Sequence, residues 1–225
     1  MRLVAWNILH GGGTRRTPEI ALRLAELEPD LVVLTEFRRT TGGQIAGVLH
    51  DQGLKSQLST NPDAGRNGVL IASRVAIEPL APAPAEAFRN RWLDVSIPDL
   101  GVSLTGVHAP DARRSDAERM QRQAHFWQHL VRLGQARRAA RHLVAGDLNT
   151  GRNRLDERGE TLTGGWFLGR LSTLGYRDAF RLVKPSEPGA TWTSHTGSGY
   201  RIDGVWVSRS LRESVRDVWH HDEAR

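Results

Sequence analysis

The stretch HLVAGDLNT, residues 142–150, runs from an apolar, strand-like segment through Gly146 into an acid, Asp147, and an amide, Asn149. A strand that reads as core thus ends on two groups that are costly to bury unless they are hydrogen-bonded or used. The pattern recurs. Asn7 lies near the end of RLVAWNI, Glu36 near the end of DLVVLTEF, His108 closes GVSLTGVH, and Asp203 opens the apolar part of RIDGVWVS. Taken singly, an Asn or Asp after a strand is a turn former, and a lone His is hydrogen-bonded structure. Taken together, Asn7, Glu36, His108, Asp147, Asn149 and Asp203 supply carboxylates and amides for a hard cation. They also include an imidazole able to donate to or accept from a phosphate.

Composition sets the outer bounds. At 225 residues, with no low-complexity run and no Pro/Gly/Ser-rich linker, residues 1–225 are expected to form a single domain with a substantial core. The absence of cysteine excludes a disulfide framework, a disulfide-linked partner and a thiolate metal site. Any metal would take oxygen or imidazole ligands, which makes Mg²⁺ or Mn²⁺ the default. The net charge of +6, from 31 basic and 25 acidic residues, favours phosphate-bearing partners. Because only Lys55 and Lys184 are lysines, the arginine excess can equally reflect genomic composition. The N-terminal MRLVAWNILHGGG is a short apolar stretch broken by Asn7 and His10, unlike a signal peptide, and no run reaches membrane-spanning length. The expectation is a cytoplasmic monomer with no membrane span.

Along the chain, strands and helices alternate. RLVAWNI (2–8) reads as a strand broken by HGGG, and Thr17 and Pro18 read as the N-cap and first position of a helix with Ile20, Leu24 and Leu27 on one face. DLVVLTEF reads as a strand buried on both faces. A helix around Ile45, Val48 and Leu49 leads to three further strands, NGVLIASR, RWLDVSI and GVSLTGVH. Ser115 with Glu118 matches a capping box, followed by Met120, Ala124, Trp127 and Val131 at helical spacing. After the strand HLVAGD, GGWFLGRLSTLG predicts a helix stopped by Gly175. RIDGVWVS and ESVRDVW read as a terminal hairpin. Several strands follow one another directly, so a parallel doubly wound sheet fits poorly and sheets flanked by helices fit better.

The segments LVAWNILHGG, PDLVVLTEF, GVLIASR, GVHAPDA, VAGDLNT and YRIDGVWVS resemble, in order and rough spacing, the endonuclease/exonuclease/phosphatase superfamily, which includes pancreatic-type deoxyribonuclease and exonuclease III. GDLN after an apolar strand is the most specific element, and RID before another strand is the next. The resemblance spans nearly the whole chain and implies an α+β fold: a four-layer α/β/β/α sandwich of two mainly antiparallel mixed sheets flanked by helices. It further implies a Mg²⁺ or Mn²⁺ ion held by Glu36 with Asn7 beside it. By the same resemblance Asp147 orients or deprotonates water, Asn149 donates to a non-bridging phosphate oxygen, and His108 binds the scissile phosphate or assists the leaving oxygen. Asp203 corresponds to the acid that holds a family histidine.

Arg74 and Arg201 are candidates for backbone phosphates, against the plainer reading of solvated surface arginines. Trp192, in ATWTSH, is the aromatic read as a contact for a base or sugar; the other tryptophans mostly fall within strand or helix patterns and read as core.

One departure from the family stands out. The family closes with a Ser-Asp-His segment just after the last hairpin, whereas this chain stops at VWHHDEAR without it, so the domain is expected to lack its last strand segment. Alternatively, a hairpin register would place His220, next to His221, opposite Asp203. Three functions remain open at this stage: a metal-dependent nuclease acting on DNA, a phosphodiesterase or phosphatase acting on a lipid or small-molecule phosphoester, and a catalytically silent phosphate-binding module.

Overall fold

A computed structural model of the chain describes residues 1–152, 154–157 and 162–221. By density of contacts the chain falls into two units, one of Met1–His108 with Val144–Gly146, the other of Ala109–Leu143 with 147–221.

In the first unit the elements are β1 (Leu3–Asn7), α1 (Gly13–Glu26), β2 (Leu31–Phe37), α2 (Arg39–Asp51), β3 (Ser56–Ser59), β4 (Gly68–Ser73), β5 (Glu78–Ala81), β6 (Trp92–Ile97) and β7 (Val102–His108). A four-stranded sheet has the order β1-β2-β4-β3. Within it β1 runs parallel to β2, with Asn7 level with Thr35, and β4 runs antiparallel to β2 and β3. Every residue of β2 is buried, as its unbroken apolar run requires of a strand covered on both faces. On one face Val32 and Leu34 pack with Ile20 and Leu24 of α1 and Ile45 and Leu49 of α2. On the other, Val33, Val69 and Ile71 close on Gly106 of β7, where an added Cβ would stand 3.0 Å from Val69. β5, β6 and β7 form an antiparallel meander, so helices, sheet and second sheet form successive layers.

The second unit holds α3 (Ala117–Ala136), the ends of β8 (His142–Asp147), α4 (Gly165–Thr173), β9 (Arg177–Asp178), α5 (Ala179–Val183), β10 (Trp192–Thr193), β11 (Gly199–Tyr200) and β12 (Asp203–Val207). The second large sheet has the order β5-β6-β7-β8-β12-β9, and β10 and β11 form a separate pair. α3 and α4 meet where the Trp127 and Phe167 rings stack, 5.7 Å between centroids. At the start of β8, His142 is fully buried and its Nδ1 lies 2.6 Å from the Tyr176 hydroxyl. Burial, with the Arg137 charge, drives its pKa down to about 3, so the ring is neutral core. The two mainly antiparallel sheets with their helices are the expected fold class. No helix among the described residues is long and apolar enough to cross a membrane.

The structure corrects the sequence reading at three ends. α1 starts one turn earlier, at Gly13, and contains Pro18; Thr17 is no cap, because its hydroxyl donates to Gly13 O at 2.5 Å. α3 is capped by Asp116, whose carboxylate accepts from Arg119 N at 3.0 Å, so a charged acceptor at the positive end of the helix takes the place of Ser115. Its inward face then carries Gln123, Phe126, Trp127, Leu130 and Val131, leaving Met120 38% exposed. Finally, the terminal hairpin does not form. β12 pairs with β9, Arg209–Ser214 is a 3-10 turn, and no strand follows it among the described residues. The hairpin register that set His220 opposite Asp203 falls with it, and the His220 ring instead stacks on Phe180 at 4.3 Å.

Candidate active site

The carboxyl ends of β1 and β2 lie at one edge of the first sheet because the two strands are parallel and in register. A bulge between Thr35 and Phe37 puts Glu36 at φ +57°, a left-handed conformation that non-glycine residues rarely adopt. The bulge turns the Glu36 side chain into a set of donors. Oε1 accepts from Asn7 Nδ2 at 3.1 Å, and Oε2 accepts from His10 N at 2.8 Å and Asn67 Nδ2 at 2.9 Å. His10 Nδ1 lies 2.7 Å from Oε2, and His108 Nε2, from the end of β7, lies 4.0 Å from Oε1.

Burial pushes the Glu36 pKa upward, but the His10 amide, the Asn7 amide and the two imidazoles outweigh it, and the carboxyl sits below its ordinary value. The loop that carries His10 is pinned to α2 by the Thr41 hydroxyl, which donates to Gly11 O at 2.9 Å. Arg38 Nε holds Asn67 through its Oδ1 at 2.7 Å.

In the second unit, Asp147 is 2% exposed and its Oδ1 accepts from Asn149 N at 2.8 Å. Asn149, at φ +45°, donates one amide hydrogen to Ala109 O at 2.7 Å, and Ala109 N donates to Asp147 O at 2.8 Å. The backbone therefore fixes both side chains. Gly146 is required just before them: it sits at φ +132°, and a Cβ there would fall 2.1 Å from Val107 O.

Asn7, Glu36 and His108 are thus gathered in one cluster, and Asp147 and Asn149 are adjacent in another. Asp203 begins β12, with its N–H donating to Thr191 Oγ1 at 3.0 Å. Trp192 is 47% exposed and tilted on Tyr200 at 5.5 Å.

The two arginines depart from the phosphate-binding expectation. Arg74 follows β4, whose Ser73 pairs with Leu31, so it stands at the opposite end of the strand from Glu36. Its guanidinium donates to Pro29 O and Gln52 O at 3.1 and 2.6 Å and pairs with Asp30. Arg201 is 5% exposed. Its Nε donates to Asp156 at 2.8 Å and its Nη2 to Asp178, while Arg181 also donates to Asp156, at 2.6 Å. Desolvation of Arg201 is outweighed by Asp178 and Asp156, which raise its pKa. Both guanidinium groups serve the fold.

A model of the Endonuclease/Exonuclease/phosphatase family matches residues 4–224. The chain belongs to this family. Among solved structures it is similar to the 3′-5′ exonuclease NExo from Neisseria meningitidis, at 21% identity and a TM-score of 0.81 over 96% of this chain and 90% of that one. A variant of the 3′ phosphatase NExo from Neisseria, bound to product DNA hairpin, gives 19% and 0.79 over 96% and 88%. An AP endonuclease from Archaeoglobus fulgidus gives 19% and 0.79 over 94% and 87%. At such identities the likeness is one of fold. No curated protein sequence matches.

Two members of the Glu36 cluster, His10 and Asn67, are absent from the sequence-based candidates. The other polar members lie at or near the carboxyl ends of strands, and Asn67 stands at an amino end. In an antiparallel pair the amino end of one strand lies beside the carboxyl end of the other, so Asn67, just before β4, belongs to the same edge as Glu36. His10 follows the LHGGG turn and had the signal of three consecutive glycines after a strand. The Glu36 carboxylate is held ionised and is the hard anionic oxygen donor that a cation would take; Asn7 turns its Nδ2 toward it, while Asn7 Oδ1 accepts from Leu9 N at 3.0 Å.

Proposed function

We propose that the protein is a divalent-metal-dependent phosphodiesterase that cleaves DNA. The observation that carries this reading is the environment of Glu36, a 9% exposed residue whose carboxylate is kept ionised by amides and imidazoles, with no guanidinium paired to it among the described residues. Glu36 with Asn7 would hold Mg²⁺ or Mn²⁺, which supplies charge withdrawal from phosphoryl oxygens when bound. Asp147 orients the attacking water and accepts its proton. Asn149, with one amide hydrogen given to Ala109 O, offers the other to a non-bridging phosphate oxygen. His108, whose imidazole can donate or accept a proton, holds the phosphate or protonates the leaving oxygen. Asp203 positions a proton-carrying partner, and Trp192 contacts a base or sugar. The fold shared with a DNA-bound phosphatase and an AP endonuclease and the net charge of +6 support DNA as the substrate.

The test is Glu36→Gln. Calorimetry should show weakened Mg²⁺ and Mn²⁺ binding, and cleavage of an end-labelled oligonucleotide should fall at least about 100-fold, within the range typical of a lost site group. Unchanged metal affinity in the variant would remove Glu36 from this role. Robust hydrolysis of a small phosphodiester with no action on DNA would reassign the substrate.

A further inference from the structure

The sequence pattern assigns most tryptophans to the core, yet Trp166 is 58% exposed. It occupies the first turn of α4, and its ring is backed by Phe167, 3.7 Å away between centroids and inclined by 27°. Phe167 is 2% exposed and stacks in turn on the buried Trp127. The indole is therefore supported from the core while much of its own surface faces solvent.

Its position relative to Asn149 is fixed by one buried side chain. Gln123, 2% exposed, donates to Pro110 O and to Asn149 O, each at 3.3 Å, and packs so closely on Gly164 that a Cβ there would meet its Oε1 at 2.8 Å. Gly164 caps α4 at φ +82°. Two hydroxyls complete the tie: Thr150 donates to Thr163 O at 2.6 Å, and Thr163 donates to Ala112 O at 3.2 Å. The segments around Asn149, Ala112 and Gly164 thus form one hydrogen-bonded floor. Trp166 rises from it with the exposed Arg170 guanidinium 5.8 Å from the indole ring, and the exposed Arg113 and Arg114 follow directly on Ala112.

An exposed, core-backed indole next to arginines is the chemistry that holds a nucleotide: the ring takes the base and the cations take its phosphates. We propose that Trp166 is a stacking platform for one unpaired base of the DNA strand, close to the scissile phosphate. The base must be unpaired and outside a continuous stack, because a base stacked on both sides has no face for the indole. The inference rests on the DNA-cleaving reading above and specifies which form of DNA that site takes.

The experiment uses the full chain with single-stranded oligonucleotides and, as a control without bases, a bis-nitrophenyl phosphodiester. Trp166→Ala should raise KM for the oligonucleotide about fivefold or more, the loss expected for one base stacked on an aromatic ring. The kcat should stay within about twofold, hydrolysis of the small phosphodiester should not change, and Trp166→Phe should retain most of the affinity. A scan of single abasic nucleotides along the oligonucleotide should find one position that weakens the parent protein as much as Trp166→Ala does and weakens the variant no further. An unchanged KM in Trp166→Ala, or a raised KM with no such abasic position, overturns the platform while DNA cleavage by the parent protein leaves the nuclease reading standing. Hydrolysis of the small phosphodiester without binding or cleavage of DNA overturns both.

Discussion

Two of the regions that bury carboxylates, one around Glu36 and one around Asp156 and Asp178, treat the charge in opposite ways. Around Glu36 the donors are amides and imidazoles, which hold the carboxyl ionised against the cost of burial. Around Asp156 and Asp178 the donors are the guanidinium groups of Arg201 and Arg181. Asp156 is likewise pushed up by burial and pulled below its ordinary value, here chiefly by Arg201. Amides stabilise a negative charge without removing it, so the Glu36 cluster keeps its attraction for a cation. Guanidinium groups neutralise it, so the second region acts as a buried clamp that locks the chain around Arg201 to the segment around Asp156. The type of donor, more than depth of burial, separates the cluster proposed for chemistry from the clamp.

The sharpest way to break this contrast lies at Asp147, an acid assigned to chemistry. Asp147→Asn keeps the shape and can still accept from Asn149 N, so melting temperature should hardly move. Turnover on DNA should fall about 10²- to 10⁴-fold, the range of a lost general base. A variant that turned over at the parental rate, or that simply unfolded, would move Asp147 to the scaffold side.

The next effect is on stability. Arg201→Met removes the charge that both buried aspartates face, and breaking such a pair from one side costs about 3–5 kcal/mol. Denaturant unfolding should show this loss at neutral pH. The sign with pH follows from the depressed pKa of Asp156: its contribution is present above the unfolded carboxylate value and is lost as pH falls through the lower folded one. The gap between parent and variant should therefore narrow on acidification. An undiminished gap at acid pH would mean that Arg201 acts through packing on Phe180, over whose ring its guanidinium lies 5.2 Å from the centroid.

The smallest effect belongs to Arg74, whose pair with Asp30 is 40% and 42% exposed. An exposed pair contributes about 1 kcal/mol or less, so Arg74→Ala should shift unfolding slightly and leave the DNA cleavage rate intact. A large rise in KM for DNA would restore Arg74 as a phosphate contact.

What the sequence made legible were features with a single physical cause. The unbroken apolar run of β2, the strand running into GDLN and the helix within GGWFLGRLSTLG each stand where expected. Asn7, Glu36 and His108 were found together because all three lie at or near strand ends. Features that depend on a partner distant in the chain were not legible. Asn67 joins the cluster through the antiparallel pairing of β4 with β2, and His10 through a left-handed turn at φ +55°. Arg201 looked like a surface cation because neither Asp156 nor Asp178 is its sequence neighbour. The false hairpin had the same origin: ESVRDVW alternates as a strand should, but β12 has β9 as its antiparallel partner.

Glu36 also bears on protein engineering. Its φ of +57° is a conformation in which a side chain costs on the order of 1–3 kcal/mol and glycine costs none. A stability-guided redesign would therefore rank Glu36→Gly among its gains, and the thermostable product would keep the two sheets while discarding a buried carboxylate that amides and imidazoles hold ionised. Optimising this chain for heat and keeping its proposed cation site pull on the same residue in opposite directions.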